Sequence, residues 1–225
     1  MKKKFFCAFT LTELLVAIAV ISILIAIAVP ALTSALNRAK ATKDMSNLRQ
    51  IGTAIQTYLN DNDQILPASA IWPGTSTTPG LYQKYIATRK VFQSPFDHRP
   101  SAESDTAPVS YGINTNMFAA SPGINRNTLQ IVSPSSTFLM APNYSHAPGN
   151  PSNTASWAGT TTGAPDLPVG GAGETTGTQS NGSQINVLFC DWHTETLRFG
   201  PAATAGTFQD TTSNPLGLKH WDPTK

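Results

Sequence analysis

The sequence predicts an α+β protein: one long N-terminal helix, membrane-spanning in its first half, packed on a small antiparallel β-sheet with long loops. Three observations carry this. An apolar run extends from Leu14 to Leu36 without a charged residue until Arg38. Apolar residues then recur at steps of three and four as far as Leu59, a helical period. Near the C-terminus, apolar residues flank Asp191-Trp192 over Gln184–Phe199, as in two antiparallel strands joined by a tight turn.

Along the chain the elements follow in order. Lys2, Lys3 and Lys4 precede the apolar run, and Glu13 stands at its head. About 20 apolar residues suffice to cross a bilayer, which this run supplies. After Pro30, the positions Leu36, Met45, Leu48, Ile51 or Gly52, Ile55 and Leu59 mark one face of an amphipathic continuation, with Arg38, Lys40, Lys43, Asn47, Gln50 and Thr53 on other faces. The helix therefore extends from about Thr12 to Leu59, and Pro30 removes one backbone bond and bends or locally melts it. Asn60-Asp61-Asn62-Asp63 ends it by turn chemistry. Those acids lack the glycine and distal glutamate of a calcium-binding EF-hand loop, so a solvated helix terminus explains them better. Leu81–Ala87, after Pro79-Gly80, reads as a short helix. Ser110–Asn114 and Pro134–Ala141 feed strands. Residues from about 142 to 183 are dominated by Gly, Ser, Thr, Asn, Pro and Ala, a long surface insertion with Trp157 and Leu167 as rare anchors. In the tail, Phe208, Leu216, Leu218 and Trp221 are placed to fold back on the sheet.

Composition narrows the function. The chain has 225 residues, of which only 12% are charged, and a formal net charge of +2. Loss of the first eight residues removes three of the 15 basic residues and none of the 13 acidic ones, which brings the chain close to neutrality. Such a balance argues for a loop-rich exported domain and against nucleic-acid binding or electrostatic steering. Cys7 and Cys190 make no disulfide framework, and Cys190 reads as a small core residue in an apolar strand.

Three readings compete for the N-terminus. A secretory signal peptide has a basic head, 7–15 apolar residues and a small-residue cleavage site, here Ala26-Ile27-Ala28. A plain membrane anchor needs only the apolar length, with the lysines holding the head in the cytoplasm. Neither accounts for Glu13, since a carboxylate near a membrane span is costly unless paired.

The third reading does account for it. The segment from Ala8 to Leu32 closely resembles the class III signal of type IV pilins and type II secretion pseudopilins. The resemblance implies a leader of residues 1–8, cut between Ala8 and Phe9, with N-methylation of the new terminal Phe9. Glu13 falls at the fifth mature position and Pro30 at the twenty-second, both as the family has them. The family nearly always places glycine before the cut, and here Ala8 stands there. Residues 9–36 are then the transmembrane and filament-core helix, 37–63 its amphipathic continuation, and 64–225 a globular pilin-like domain. Physically, the Glu13 carboxylate of one subunit neutralises the Phe9 amine of the next, in a low-dielectric setting where the attraction is strong.

The globular part resembles the pseudopilin-like proteins numerous in planctomycetes and verrucomicrobia. Ser94-Pro95-Phe96-Asp97 corresponds to a cysteine-proline-aspartate element, with serine replacing cysteine. Tyr111-Gly112-Ile113-Asn114 matches a tyrosine-glycine-x-asparagine strand. Phe189-Cys190-Asp191-Trp192-His193 matches a terminal hairpin in which Trp192 replaces glycine, where the turn favours φ > 0.

The expected function is thus a structural subunit of a pilin-like filament, foremost a G-like type II secretion pseudopilin and alternatively a type IV pilin for adhesion or motility. The resemblance implies as partners a prepilin peptidase, copies of itself and other pilin-like subunits, the membrane, and an inner-membrane assembly platform with its ATPase. It places the chain in the inner membrane as a single span, N-terminus cytoplasmic and globular domain periplasmic, before entry into a filament. A reading of another class is a membrane-tethered module for calcium or glycan. Asp97, His98, Asp191 and His193 are weak candidates for metal ligands, because turn aspartates and an exposed strand histidine explain the same residues better. Trp72, Trp157, Trp192 and Trp221 are candidates for a stacking surface. No cofactor is implied, and no HExxH, GxSxG, P-loop or paired CxxC motif is present.

Overall fold

The computed structural model describes residues 10–67, 80–97, 103, 109–118, 123–142, 156–157, 184–198 and 223–224. Helix α1 runs from Leu11 to Asp61 without a break, through Pro30. Around the proline, Thr33 Oγ1 donates to the carbonyls of Val29 (3.1 Å) and Pro30 (2.9 Å). Contacts divide the chain into two units, Met1–Ala39 and Lys40–Lys225.

In the first unit, the large apolar residues of α1 from Leu11 to Leu36 are all exposed. This part of the helix is apolar on every side, which suits lipid or the interior of an assembly rather than water. It is long and apolar enough to cross a membrane. Leu36, expected on the buried stripe, remains 53% exposed.

In the second unit, α1 turns a stripe of Asp44, Asn47, Leu48, Ile51, Gly52, Ala54, Ile55 and Leu59 into the interior. The three-and-four spacing predicted from the sequence accounts for Leu48, Ile51, Ile55 and Leu59, whereas Asn47, expected on another face, is buried as well. Burial of each Leu or Ile stabilises the unit by roughly 1.5–3 kcal/mol. The helix ends where Asn60–Asp63 was expected to end it. Asp63 (φ 50°) and Gln64 (φ 62°) turn left-handed, and Gln64 N–H donates to Leu59 O at 3.0 Å.

The sheet contains β1 (Tyr111–Asn114), β2 (Phe138–Pro142), β3 (Ser156–Trp157), β4 (Gln184–Phe189) and β5 (Thr194–Arg198), in the spatial order β3-β1-β2-β4-β5. Four strands, β1, β2, β4 and β5, form an antiparallel sheet. The two-residue β3 adds in parallel beside β1. One core joins α1 to the sheet through Leu48, Ile51, Ile55, Tyr111, Ile113, Met140 and Leu188. At Gly52 the helix lies close to β4: a Cβ there would lie 3.1 Å from Leu188 Cδ1. A second cluster groups Phe138, Ala141, Ile185, Val187 and Phe189, with half-buried Leu197 packed against it, and Phe138 meets Phe189 edge-on at 5.1 Å.

The short helix expected at Leu81–Ala87 is not formed. Gln83 adopts φ 68°, and Tyr82 bridges to Ile86 in a turn, so the helical period is broken at its second step. A short 3-10 turn follows at Arg89–Phe92. The tail positions Phe208, Leu216, Leu218 and Trp221 lie outside the described residues.

Candidate functional site: the helix head and a buried polar lock

Two groups of polar residues stand out against the apolar elements that hold them. The first is at the head of α1. Thr10 Oγ1 accepts from Glu13 N–H (3.2 Å) and donates to Glu13 Oε2 (2.8 Å), while Thr10 N–H donates to the same Oε2 at 2.9 Å. Thr10 O accepts the first helical bond, from Leu14 N–H at 3.3 Å. This is a capping box: Thr10 is the N-cap and Glu13 the third helical residue, reciprocally satisfying backbone donors that a helix start leaves open. The T-x-x-E signature was present in the sequence before the apolar run, and sequence reasoning about the cost of the carboxylate passed it over. Ala8 and Phe9 lie outside the described residues.

The second group is centred on Asp44, which no sequence motif singles out. Its side chain is fully buried. Oδ1 accepts from Ser94 Oγ and Tyr111 Oη, each at 2.6 Å, and Oδ2 accepts from Asn186 Nδ2 at 2.9 Å. Asn186 Nδ2 also donates to Ala41 O (3.0 Å), and Asn186 Oδ1 accepts from Thr196 Oγ1 (2.7 Å). Asn47, one turn along α1, donates to Gln93 O at 3.0 Å. Burial pushes the Asp44 carboxyl above its ordinary value, and the bonds from Ser94, Tyr111 and Asn186 oppose that push. Tyr111 is raised well above the ordinary phenol by burial first and by the neighbouring Asp44 second.

This lock gives the sequence motifs a job. Ser94 of the Ser94–Asp97 element and Tyr111 of β1 meet on one carboxylate of α1, joined there by Asn186 of β4. Asp97, a candidate ligand, instead accepts from Ser110 Oγ at 2.6 Å. Asn114 donates to Phe138 O (3.0 Å) and accepts from Asn116 N–H (3.0 Å), tying β1 to β2 and to the turn beyond. These motif residues hold the fold together at its polar seams.

The β4–β5 turn is closed by its own side chains. Asp191 Oδ1 pairs with His193 Nδ1, and the His193 ring stacks on Phe189 at 4.1 Å. Trp192 takes a left-handed backbone, at φ 75°, and packs against the main core. Cys190 is buried, its thiol pushed far up by burial and then by Asp191. His98 lies outside the described residues, and among the described residues no three His, Cys, Asp or Glu side chains group as metal ligands. At the helix end, Asp61 takes Tyr85 Oη (2.8 Å) and Lys84 Nζ (3.6 Å).

Comparison with known proteins bears on the helix head. Residues 3–29 match the family model of the prokaryotic N-terminal methylation motif. That match spans Ala8, Phe9 and Glu13 and stops one residue before Pro30. The motif supports a pilin-like structural subunit rather than an enzyme, and it implies processing by a prepilin peptidase and assembly with other pilin subunits. With the exposed apolar helix, it fits a membrane-anchored subunit. No curated protein and no solved structure matches the chain.

Proposed function

We propose that this chain is a type II secretion pseudopilin, cut between Ala8 and Phe9 and methylated on Phe9, and that processing creates its assembly contact. The observation that carries the reading is the methylation motif over residues 3–29, with Glu13 heading an exposed apolar helix. Before the cut, the head of the helix is a basic leader. Afterwards it is a Phe9 amine, and the Glu13 carboxylate of a neighbouring copy is its natural counter-ion in a dry helix bundle. Both donors of Thr10 go to Glu13 Oε2. The capping box therefore orients the carboxylate along the helix head, and Oε1 supplies acceptor sites for the incoming amine. Pairing of this kind fixes the axial stagger between subunits, since an unpaired carboxylate is penalised there.

On this reading a short filament grows from an inner-membrane platform driven by an ATPase, and the globular unit is displayed in the periplasm. Mass spectrometry of the mature N-terminus tests the processing: a methylated Phe9 supports it, while an intact Met1 or a cut near Ala28 refutes it. Deletion of the gene then separates the two systems. Loss of an exported enzyme from the medium supports the pseudopilin, and loss of a surface fibre with secretion intact supports a type IV pilin instead.

A further inference from the structure

Lys40 and Lys43 stand one turn apart on α1 at the start of the second unit. Lys43 is exposed, and Lys40 is half-buried with its Nζ 6.0 Å from the centre of the Phe96 ring. The acid beside them offers no surface counter-charge, because Asp44 is turned inward with both oxygens held by Ser94, Tyr111 and Asn186. The ion pairs Lys84–Asp61, Lys90–Glu103 and His193–Asp191 do not take Lys40 or Lys43. Two like charges at this spacing repel each other along a helix. Cations on the outer flank of a span also run against the positive-inside preference. Both costs are met if an anion faces the pair.

We propose that Lys40 and Lys43 bind the phosphates of anionic phospholipids in the outer leaflet of the membrane that holds α1. The inference rests on the membrane-anchored reading above. No charge occurs in the sequence between Glu13 and Arg38. At ~1.5 Å per residue, Lys40 and Lys43 lie about 40 and 45 Å along the helix from Glu13. A bilayer with its headgroups is ~40–45 Å thick. With Glu13 at the cytoplasmic surface, the two ammonium groups reach the opposite phosphate layer. The contact gives the subunit a fixed depth in the membrane before assembly, and it is broken when the subunit leaves for a filament.

The test uses the full chain in vesicles of phosphatidylglycerol or of phosphatidylcholine, treated with a water-soluble amine-acylating reagent and read by peptide mass spectrometry. Each lysine facing anionic lipid should react roughly fivefold more slowly in phosphatidylglycerol, and 0.5 M salt should abolish the difference, since headgroup attraction is screened. Lys84 and Lys90, which are exposed and ion-paired, serve as internal references and should not respond to lipid. Equal reactivity of Lys40 and Lys43 in the two lipids overturns the proposal while leaving the anchor intact. Protection that depends on protein density in phosphatidylcholine also overturns it, in favour of a second copy as partner. A chain that fails to float with either vesicle overturns the membrane reading itself. As a second measurement, the K40Q/K43Q variant should lose the enrichment of phosphatidylglycerol co-extracted with the protein, and unchanged enrichment would refute the lipid contact.

Discussion

Asp44 and Tyr111, 67 positions apart in the chain, share a 2.6 Å hydrogen bond in the interior, where the helix first turns a side chain into the globular unit. The same carboxylate gathers Ser94 and Asn186, so one acid of α1 ties together a loop, β1 and β4. Replacing it by alanine leaves three buried donors without their acceptor, each costing about 1–3 kcal/mol. Asp44→Ala should therefore lower the stability of the full chain in detergent by at least about 3 kcal/mol. A urea titration that shows a change below about 1 kcal/mol would mean that the Asp44 hydrogen bonds do not hold the unit together.

The ionisation of Asp44 has a definite sign. Burial raises its folded carboxyl above the ordinary value of 3.8, so the folded state holds its proton to higher pH than the unfolded chain does. Its share of stability is full below that ordinary value and falls as pH rises through the raised one. Asp44→Asn removes this titration while keeping one acceptor for Ser94 and Tyr111. The difference in stability between wild type and Asp44→Asn should accordingly shift against the wild type as pH rises from 3 to 7. A flat or opposite difference would mean that the three hydrogen bonds outweigh desolvation.

How much of this was legible in the sequence depends on the range over which each feature acts. The buried stripe at Leu48, Ile51, Ile55 and Leu59 was visible because a helix repeats within a few residues. The β4–β5 hairpin was visible for the same reason, its turn and both strands lying within one short segment. Asp44 was not: flanked by Lys43 and Met45, it resembles any solvated acid, and only partners 50, 67 and 142 positions away make it a core residue. Strand β3 is two residues long, too short for an alternation to show. The Leu81–Ala87 segment had suitable helical composition, but a single left-handed residue, Gln83, decides its path. At the helix head, the Thr10–Glu13 cap is local and internal to one chain, and its T-x-x-E spacing stands in the sequence.

Gly52 faces Leu188 of β4 across the core. Alanine gains about 1 kcal/mol of helix propensity over glycine, yet its Cβ would meet Leu188 Cδ1 at 3.1 Å. A larger branched side chain has no such compensation. Gly52→Val should cost about 1–3 kcal/mol by overpacking, and a Gly52→Val/Leu188→Ala double variant should recover part of the loss. Additive losses in the two single variants would show that the helix does not rest on Leu188.

Trp192 holds a left-handed backbone at φ 75° that a glycine adopts without strain. Its ring packs against the main core. Relief of roughly 1 kcal/mol of backbone strain thus competes with the loss of a large buried side chain, which costs about 3–5 kcal/mol in well-packed sites. Since Trp192 is only half-buried, Trp192→Gly should lower stability by an intermediate amount, about 1–2 kcal/mol. A stabilised Trp192→Gly variant would mean that the ring contributes little beyond the strain it imposes.

Glu13 combines a cap with a charge, and two substitutions separate them. Glutamine at the third helical position retains the reciprocal hydrogen bonds of a capping box, so Glu13→Gln should preserve the helix head made with Thr10. It cannot neutralise an amine. Glu13→Ala removes both functions. If the carboxylate serves assembly through its charge, Glu13→Gln and Glu13→Ala should be processed normally and both should enter filaments poorly. If it serves only as a cap, Glu13→Gln should assemble like wild type, whereas Thr10→Val should fail with Glu13→Ala. Quantifying processed subunits in the membrane against those in sheared filaments distinguishes these outcomes, because a defect in the cap follows Thr10 and a defect in charge follows Glu13 alone.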